Sequence, residues 1–151
     1  LPEDFARMTI QSTLGIDPPG GCHFPPAGYA EMARQLHPVV AREHYGFQPD
    51  GPVTAANLRT LKSNAAQNTL TLTFDQPIEW DDALCGQFSV DGITGVVTSG
   101  KVAGNVLTLS LKTPGGRTLT YLDSKNWSQK TLLRGTNGLA ALTFCAVPIT
   151  P

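Results

Sequence analysis

Between residues 68 and 75 the chain reads Asn-Thr-Leu-Thr-Leu-Thr-Phe-Asp, with Leu70, Leu72 and Phe74 alternating against Thr69, Thr71 and Thr73. A period of two with one apolar face is the pattern of a half-buried strand and suits no helix. Residues 106–112, Val-Leu-Thr-Leu-Ser-Leu-Lys, repeat it. Shorter runs at 87–90, 95–102, 118–122 and 139–145 complete the set, with Gly104-Asn105 as a hairpin turn and Gly115-Gly116 as a second turn. Roughly six or seven short strands about ten residues apart, with no helical pattern between them, predict an antiparallel β-sandwich over residues 54–151.

The first third of the chain has another period. Residues 7–16 mix β-branched and polar side chains and are expected to form a short strand or extended segment. Asp17-Pro18-Pro19-Gly20-Gly21 then makes a loop, and Pro25-Pro26 suits a first helical turn. Tyr29, Met32, Ala33, Leu36 and Val40 recur at helical spacing, predicting a helix over residues 27–36. His37-Pro38 interrupts it, because the residue before a proline is pushed out of helical geometry. Residues 39–45 continue as a kinked segment, and Gly46 is a natural C-cap. Residues 47–53, rich in proline and glycine, read as a linker, so 1–46 and 54–151 are taken as separate units. The Tyr29/Met32/Leu36 stripe needs cover, from the sandwich across the linker or from a second copy through self-association.

Composition narrows the function classes. With 40% hydrophobic and 15% charged residues the chain is an ordinary folded one, and a net charge of −1 recommends neither nucleic acid nor an anionic membrane as partner. No apolar run approaches the ~20 residues of a membrane span, and no motif calls for a cofactor. The opening Leu-Pro-Glu-Asp-Phe has neither a basic n-region nor an apolar h-region and reads as an internal or processed start. Three cysteines allow one disulfide; Cys85 and Cys145, both in the strand-rich half, are the pair expected to bridge, which goes with a secreted or periplasmic location. Cys22 beside His23 is favoured as a loop anchor over a nucleophile, since adjacent side chains rarely face each other.

His23 sits on the loop just before the helix, where a histidine can be held by neighbours yet face solvent and substrate, as a general base must. Its bland alternative is a loop histidine capping the helix. His37 and His44, seven apart, are read as solvated, and Asp75, Glu79, Asp81 and Asp82 as a solvated acidic turn, since their spacing matches no calcium loop. Trp80, Trp127 and Tyr121 would make a sugar-stacking platform if exposed together, and are otherwise core plugs.

His23-Phe24-Pro25, then Gly28-Tyr29, then the helix through Ala33 resembles the last conserved block of the SGNH (GDSL-like) hydrolases, most closely carbohydrate acetylesterases of the sialate O-acetylesterase type. The resemblance covers about the first 46 residues. It implies that residues 1–46 are the end of an α/β catalytic domain, that His23 is the base, and that the substrate is an acetylated carbohydrate. The family places an Asp three residues before the His, where this chain has Gly20; Asp17, six residues upstream, is the nearest acid to orient the ring. The family's Gly-Asp-Ser or Gly-Gln-Ser turn and its oxyanion glycine and asparagine have no counterpart before Gly20. Leu-Thr-Phe-Asp-Gln-Pro-Ile, Phe-Ser-Val-Asp-Gly and Gly-Asn-Val-Leu-Thr-Leu resemble bacterial immunoglobulin-like domains, which implies architecture rather than activity. The expected fold is therefore mainly β: an immunoglobulin-like antiparallel sandwich preceded by a loop-helix remnant of an SGNH hydrolase domain. Two functions are compatible with it: the C-terminal portion of a carbohydrate O-acetylesterase, with the base but not the nucleophile, or a non-catalytic module that binds carbohydrate or protein.

Overall fold

The computed structural model describes residues 8–123 and 128–151. One helix, α1 (Pro26–Tyr45), precedes ten strands: β1 (Leu58–Ser63), β2 (Thr69–Phe74), β3 (Ile78–Glu79), β4 (Phe88–Val90), β5 (Ile93–Thr94), β6 (Val97–Ala103), β7 (Val106–Leu111), β8 (Thr118–Tyr121), β9 (Arg134–Gly135) and β10 (Phe144–Pro148). One four-stranded sheet runs β1-β2-β7-β6, a second runs β10-β8-β4-β5, and β3 pairs with β9; every strand pair is antiparallel. This is the mainly β architecture with an N-terminal helix that the two periodicities require.

The alternating residues set the core. Leu70 faces Leu109 and Leu72 faces Leu107 across the β2–β7 ladder, with Phe74 and Leu111 continuing the same buried face. Phe88, Val90, Leu119 and Tyr121 of the second sheet close over them, and Phe88 and Tyr121 bring their rings to 5.0 Å. Ala56, Ile78, Leu84, Leu133 and Ala141 complete one cluster. The core also holds a polar contact: the Tyr121 hydroxyl, on a fully buried side chain, accepts the Leu133 amide at 2.7 Å.

Several elements depart from the sequence reading. Residues 8–16 form no strand, which leaves the extended-segment alternative; Gln11 accepts the Ala55 amide through Oε1 at 3.0 Å, and Ile16 is buried, which pins this segment to the β half. A 3-10 turn, Asp82–Gln87, lies where no helical pattern was expected, begun by Asp81 accepting the Ala83 amide. The last strand starts at Phe144, not near residue 139, because the amides of Ala141 and Leu142 go to Leu133 and Ala56, so only residues beyond them are free to join the β8 ladder. Helix α1 passes through Pro38 without a break: a proline removes one backbone donor, and the turns on either side hold. The helix stops where expected, with Gly46 in the left-handed conformation at φ 70° and Phe47 N–H returning to the Ala41 carbonyl.

The helix also buries an unexpected face. Gly28, Gln35 and Val39 are its buried residues, whereas Tyr29, Leu36 and Val40 remain 43%, 36% and 46% exposed. The two sets share the same spacing and differ by one position, so the apolar stripe is turned about 100° from the packed face. On the packed side, Gln35 and Pro38 line a cleft of 210 Å³ with Pro52, Val53, Asn137 and Leu139. The strand half holds the intervening segment through its carbonyls: Asn137 donates to Pro52 and Thr54, and Gln76 also donates to Thr54. Of the stripe, Met32 is half-buried while Tyr29, Leu36 and Val40 stay partly exposed, so the rest of the chain covers it only in part.

Candidate functional site

The loop carrying His23 is fixed by small residues and one ring. Phe24 lies over Gly28 and Gly20, so closely that a Cβ on Gly28 would come within 2.8 Å of its Cδ1, and a Cβ on Gly20 within 2.9 Å of the His23 carbonyl. Only glycines leave the loop room to fold onto the helix start. The Pro25 carbonyl accepts the amides of Gly28 and Tyr29, which begins α1 with no side-chain cap. His23 therefore does not cap the helix. Tyr29, one turn into α1, meets Phe24 edge-on at 5.9 Å and brings its hydroxyl to 3.4 Å from His23 Nδ1.

His23 is exposed, on the same side as the Tyr29–Leu36–Val40 stripe through its contact with Tyr29. Asp17 is exposed too, on the loop segment that carries the cis Asp17–Pro18 peptide, and no hydrogen bond joins it to His23. It lines a different cavity, of 390 Å³, with Pro19, Lys130 and Arg134. The Arg134 guanidinium runs past Gly15, where φ is 73° and a Cβ would collide with it, and donates to the Gly138 carbonyl at 2.7 Å. Among the described residues no serine is hydrogen-bonded to His23, and no cluster of His, Cys, Asp or Glu is arranged to hold a metal.

The other candidates resolve into structural roles. His37 and His44 are exposed on α1. Asp75 accepts the Asn57 amide and an Arg59 guanidinium N–H, and Asp81 caps the 3-10 turn. Asp82 accepts the Trp80 indole N–H at 2.7 Å and the Gly100 amide at 3.0 Å, and these two donors, the indole first, hold its carboxyl below the usual range. Trp80, half-buried, lies across Gly100 and near Phe88, and Tyr121 is buried, so these two rings are not exposed together; Trp127 falls outside the described residues. The three cysteines are free, contrary to the expected Cys85–Cys145 bridge. Cys85 packs against the core, where burial raises its thiol pKa, while Cys145 is exposed at the bulge of β10.

One feature of the strand half gave no sequence signal. Ser89, Thr118, Thr120, Cys145 and Ala146 line an open groove of 710 Å³ on the outer face of the second sheet. At its end Asp91, at φ 50°, accepts the amides of Arg117 and Thr118 and the Thr118 hydroxyl; the Arg117 amide foremost keeps its carboxyl below the ordinary value. No helix among the described residues is long and apolar enough to cross a membrane.

No known family profile matches the sequence, and no curated protein is similar enough to count as a relative. A solved structure does share the fold. A carbohydrate acetylesterase from Xanthomonas citri superimposes with a TM-score of 0.61 at 15% identity, over 86% of this chain and 30% of the esterase. Two structures of the bacterial S-layer protein SbsC match at 16% and 15% identity with TM-scores of 0.48 and 0.44, over 84% and 80% of this chain and 17% and 27% of theirs. The chain thus spans less than a third of the length of the esterase whose fold it shares.

Proposed function

We propose that this chain supplies the catalytic histidine, but not the serine nucleophile, of a carbohydrate O-acetylesterase. The observation that carries the reading is that His23 and the uncovered Tyr29–Leu36–Val40 stripe occupy one open side of the molecule, joined through Tyr29. A body that covered the stripe would also reach the imidazole. The shared fold with part of an acetylesterase, of which 30% is matched, supports such a body as the occupant. On this reading residues 1–46 end an SGNH-type catalytic domain, 47–53 link it to an immunoglobulin-like sandwich over 54–151, and the protein works outside the cytoplasm, where acetylated polysaccharides are met.

The chemistry is that of the serine hydrolases. As the serine Oγ bonds to the acetyl carbonyl carbon, the His23 imidazole takes its proton, then passes that proton to the sugar oxygen as the ester C–O bond breaks. Water repeats the sequence to free acetate. The family's acid position, three residues before the histidine, is Gly20 in this chain; Asp17, the nearest acid upstream, would orient the ring only with the loop folded back toward it.

The test uses the chain alone and joined to a serine-bearing SGNH-type polypeptide. Alone, it should hydrolyse an aryl acetate no faster than His23→Ala; joined, it should deacetylate acetylated oligosaccharides and lose roughly 10³-fold or more in kcat with His23→Ala. Stoichiometric labelling of the isolated chain by a serine-directed phosphonate, with His23-dependent turnover, contradicts the reading. The second reading, a non-catalytic immunoglobulin-like binding module, is favoured by the 710 Å³ groove. Glycan retention that survives His23→Ala and is lost in Thr120→Trp would establish it instead.

A further inference from the structure

We infer that the groove on the outer face of the second sheet binds an uncharged oligosaccharide, with the Ser89 hydroxyl as its floor contact. The inference deepens the reading of the β half as a binding module, on which it rests, and is independent of His23. Ser89 is 3% exposed, lines the groove and, among the described residues, has no hydrogen-bond partner for its hydroxyl. A hydroxyl taken out of bulk water and left unpaired is uncommon, because desolvation without a replacement bond is unfavourable. The groove is the one side on which Ser89 is open, so a ligand lying there would satisfy it.

The backbone around Ser89 keeps that floor clear. Ser89 pairs with Thr120 across the β4–β8 ladder, which puts both hydroxyls on the same outer face. Beside Thr120, the bulge in β10 sets residues 145 and 146 against Thr120 alone, and the Ala146 amide donates to Thr120 Oγ1 at 2.9 Å. That bond uses an acceptor position and leaves the Thr120 O–H to donate to a ligand. Four described non-glycine residues have positive φ, and three of them, Asp91, Leu122 and Ala146, line this groove. Such conformations persist only where the surroundings enforce them, and they gather at ligand clamps.

Size and chemistry select the ligand. The groove follows β8 from Arg117 to Leu122, roughly 16 Å at strand spacing, and its 710 Å³ suits a short oligomer. An extended peptide docks by adding to a sheet edge, but β8 and β4 are interior strands whose backbone groups are already paired, so this face offers side chains only. Those at its middle are hydroxyls, which donate and accept as ligand hydroxyls do. The charged residues at its ends, Asp91 with Arg117 and, opposite, Asp123, set two carboxylates against one guanidinium, which disfavours an anionic chain.

Amide ¹H–¹⁵N spectra of the intact chain, titrated with neutral β-linked hexasaccharides of glucose, xylose and mannose and with hexagalacturonic acid, locate binding residue by residue. At least one neutral sugar should shift the amides of Ser89, Thr118, Thr120 and Ala146 and leave residues 20–45 in place, and hexagalacturonic acid should bind more weakly. Ser89→Ala should weaken that neutral sugar roughly 3- to 10-fold, while its thermal midpoint stays level or rises, because the hydroxyl it removes holds nothing within the chain. Groove shifts produced by hexagalacturonic acid alone overturn the uncharged ligand and leave the binding-module reading standing; no groove shift with any of the four overturns both. Shifts confined to the His23 loop overturn the groove and favour the esterase reading. Undiminished binding by Ser89→Ala, or a midpoint well below wild type, overturns the floor contact.

Discussion

The β half and helix α1 treat their apolar residues in opposite ways. In the strands every alternate leucine points inward: Leu70, Leu72, Leu107 and Leu109 are at most 1% exposed, and the threonines between them line the outer face. In the helix the stripe is largely turned outward, with Tyr29, Leu36 and Val40 partly exposed and Met32 half-buried, while Gly28, Gln35 and Val39 are the buried residues. The sandwich is complete by itself because two sheets bury each other's faces. The helix is different: its buried residues are few, and Tyr29, Leu36 and Val40 stay partly exposed. Apolar patterning therefore reports internal packing in one region and an external surface in the other.

The largest expected effect breaks this comparison with one type of substitution. Leu72→Ala should cost about 2–5 kcal/mol, since it removes a fully buried side chain from a close-packed interior. Leu36→Ala, the same chemistry at a site 36% exposed, should cost less than about 1 kcal/mol. Urea unfolding of both variants measures the difference; equal losses would mean that the helix stripe is as buried as the core.

The same contrast explains which parts of the molecule were legible in the sequence. β2 and β7 were readable because their alternation is uninterrupted, and Gly46 because a helix end needs a residue tolerant of positive φ. β1 gave no signal: in Leu-Arg-Thr-Leu-Lys-Ser only Leu61 is buried, and Arg59, Thr60 and Lys62 mask the period. Leu139, Ala140 and Ala141 have strand-like side chains but bond back to the β9 segment, so the start of the last strand at Phe144 is not visible in the pattern. The exposed place of His23 on the loop before α1 was legible from its setting. Its contact with Tyr29 was not, because a separation of six residues across a loop-helix junction belongs to no local periodicity. The direction of the helix stripe was also hidden, since periodicity shows that a face is apolar and not what covers it.

A smaller effect sharpens the account of the buried polar contact in the sandwich core. Burial, foremost, raises the Tyr121 pKa from 10.0 to about 12, against the opposing pull of the Leu133 amide. The folded state thus keeps the phenolic proton at a pH where the unfolded chain releases it. Stability from this group is fully present below pH 10 and is lost as pH rises toward 12, by on the order of 2 kcal/mol. Tyr121→Phe should remove that alkaline slope, while at neutral pH it loses about 1–3 kcal/mol because the buried Leu133 amide is left without its acceptor. Thermal melts between pH 8 and 12 would show both; an unchanged slope in Tyr121→Phe assigns the alkaline transition to other groups.

The smallest effect on the isolated chain is the most informative about the helix. Leu36→Lys with Val40→Lys places two charges on positions that already face solvent, so unfolding of the single chain should change by no more than about 0.5 kcal/mol. What should change is association. A partner that covers the stripe would have to bury two ammonium groups without counter-charges, at a penalty of several kcal/mol each, enough to abolish binding. Sedimentation of the isolated chain then separates two occupants: a dimer that dissociates in the double variant identifies a second copy, and a monomer in both forms leaves the stripe to the serine-bearing body. In the second case the double variant should fail to restore deacetylation when that body is supplied, although His23 and Tyr29 are untouched. Full activity of Leu36→Lys, Val40→Lys in the joined enzyme would show that the apolar face and the histidine serve different partners, and the common open side would no longer support an esterase.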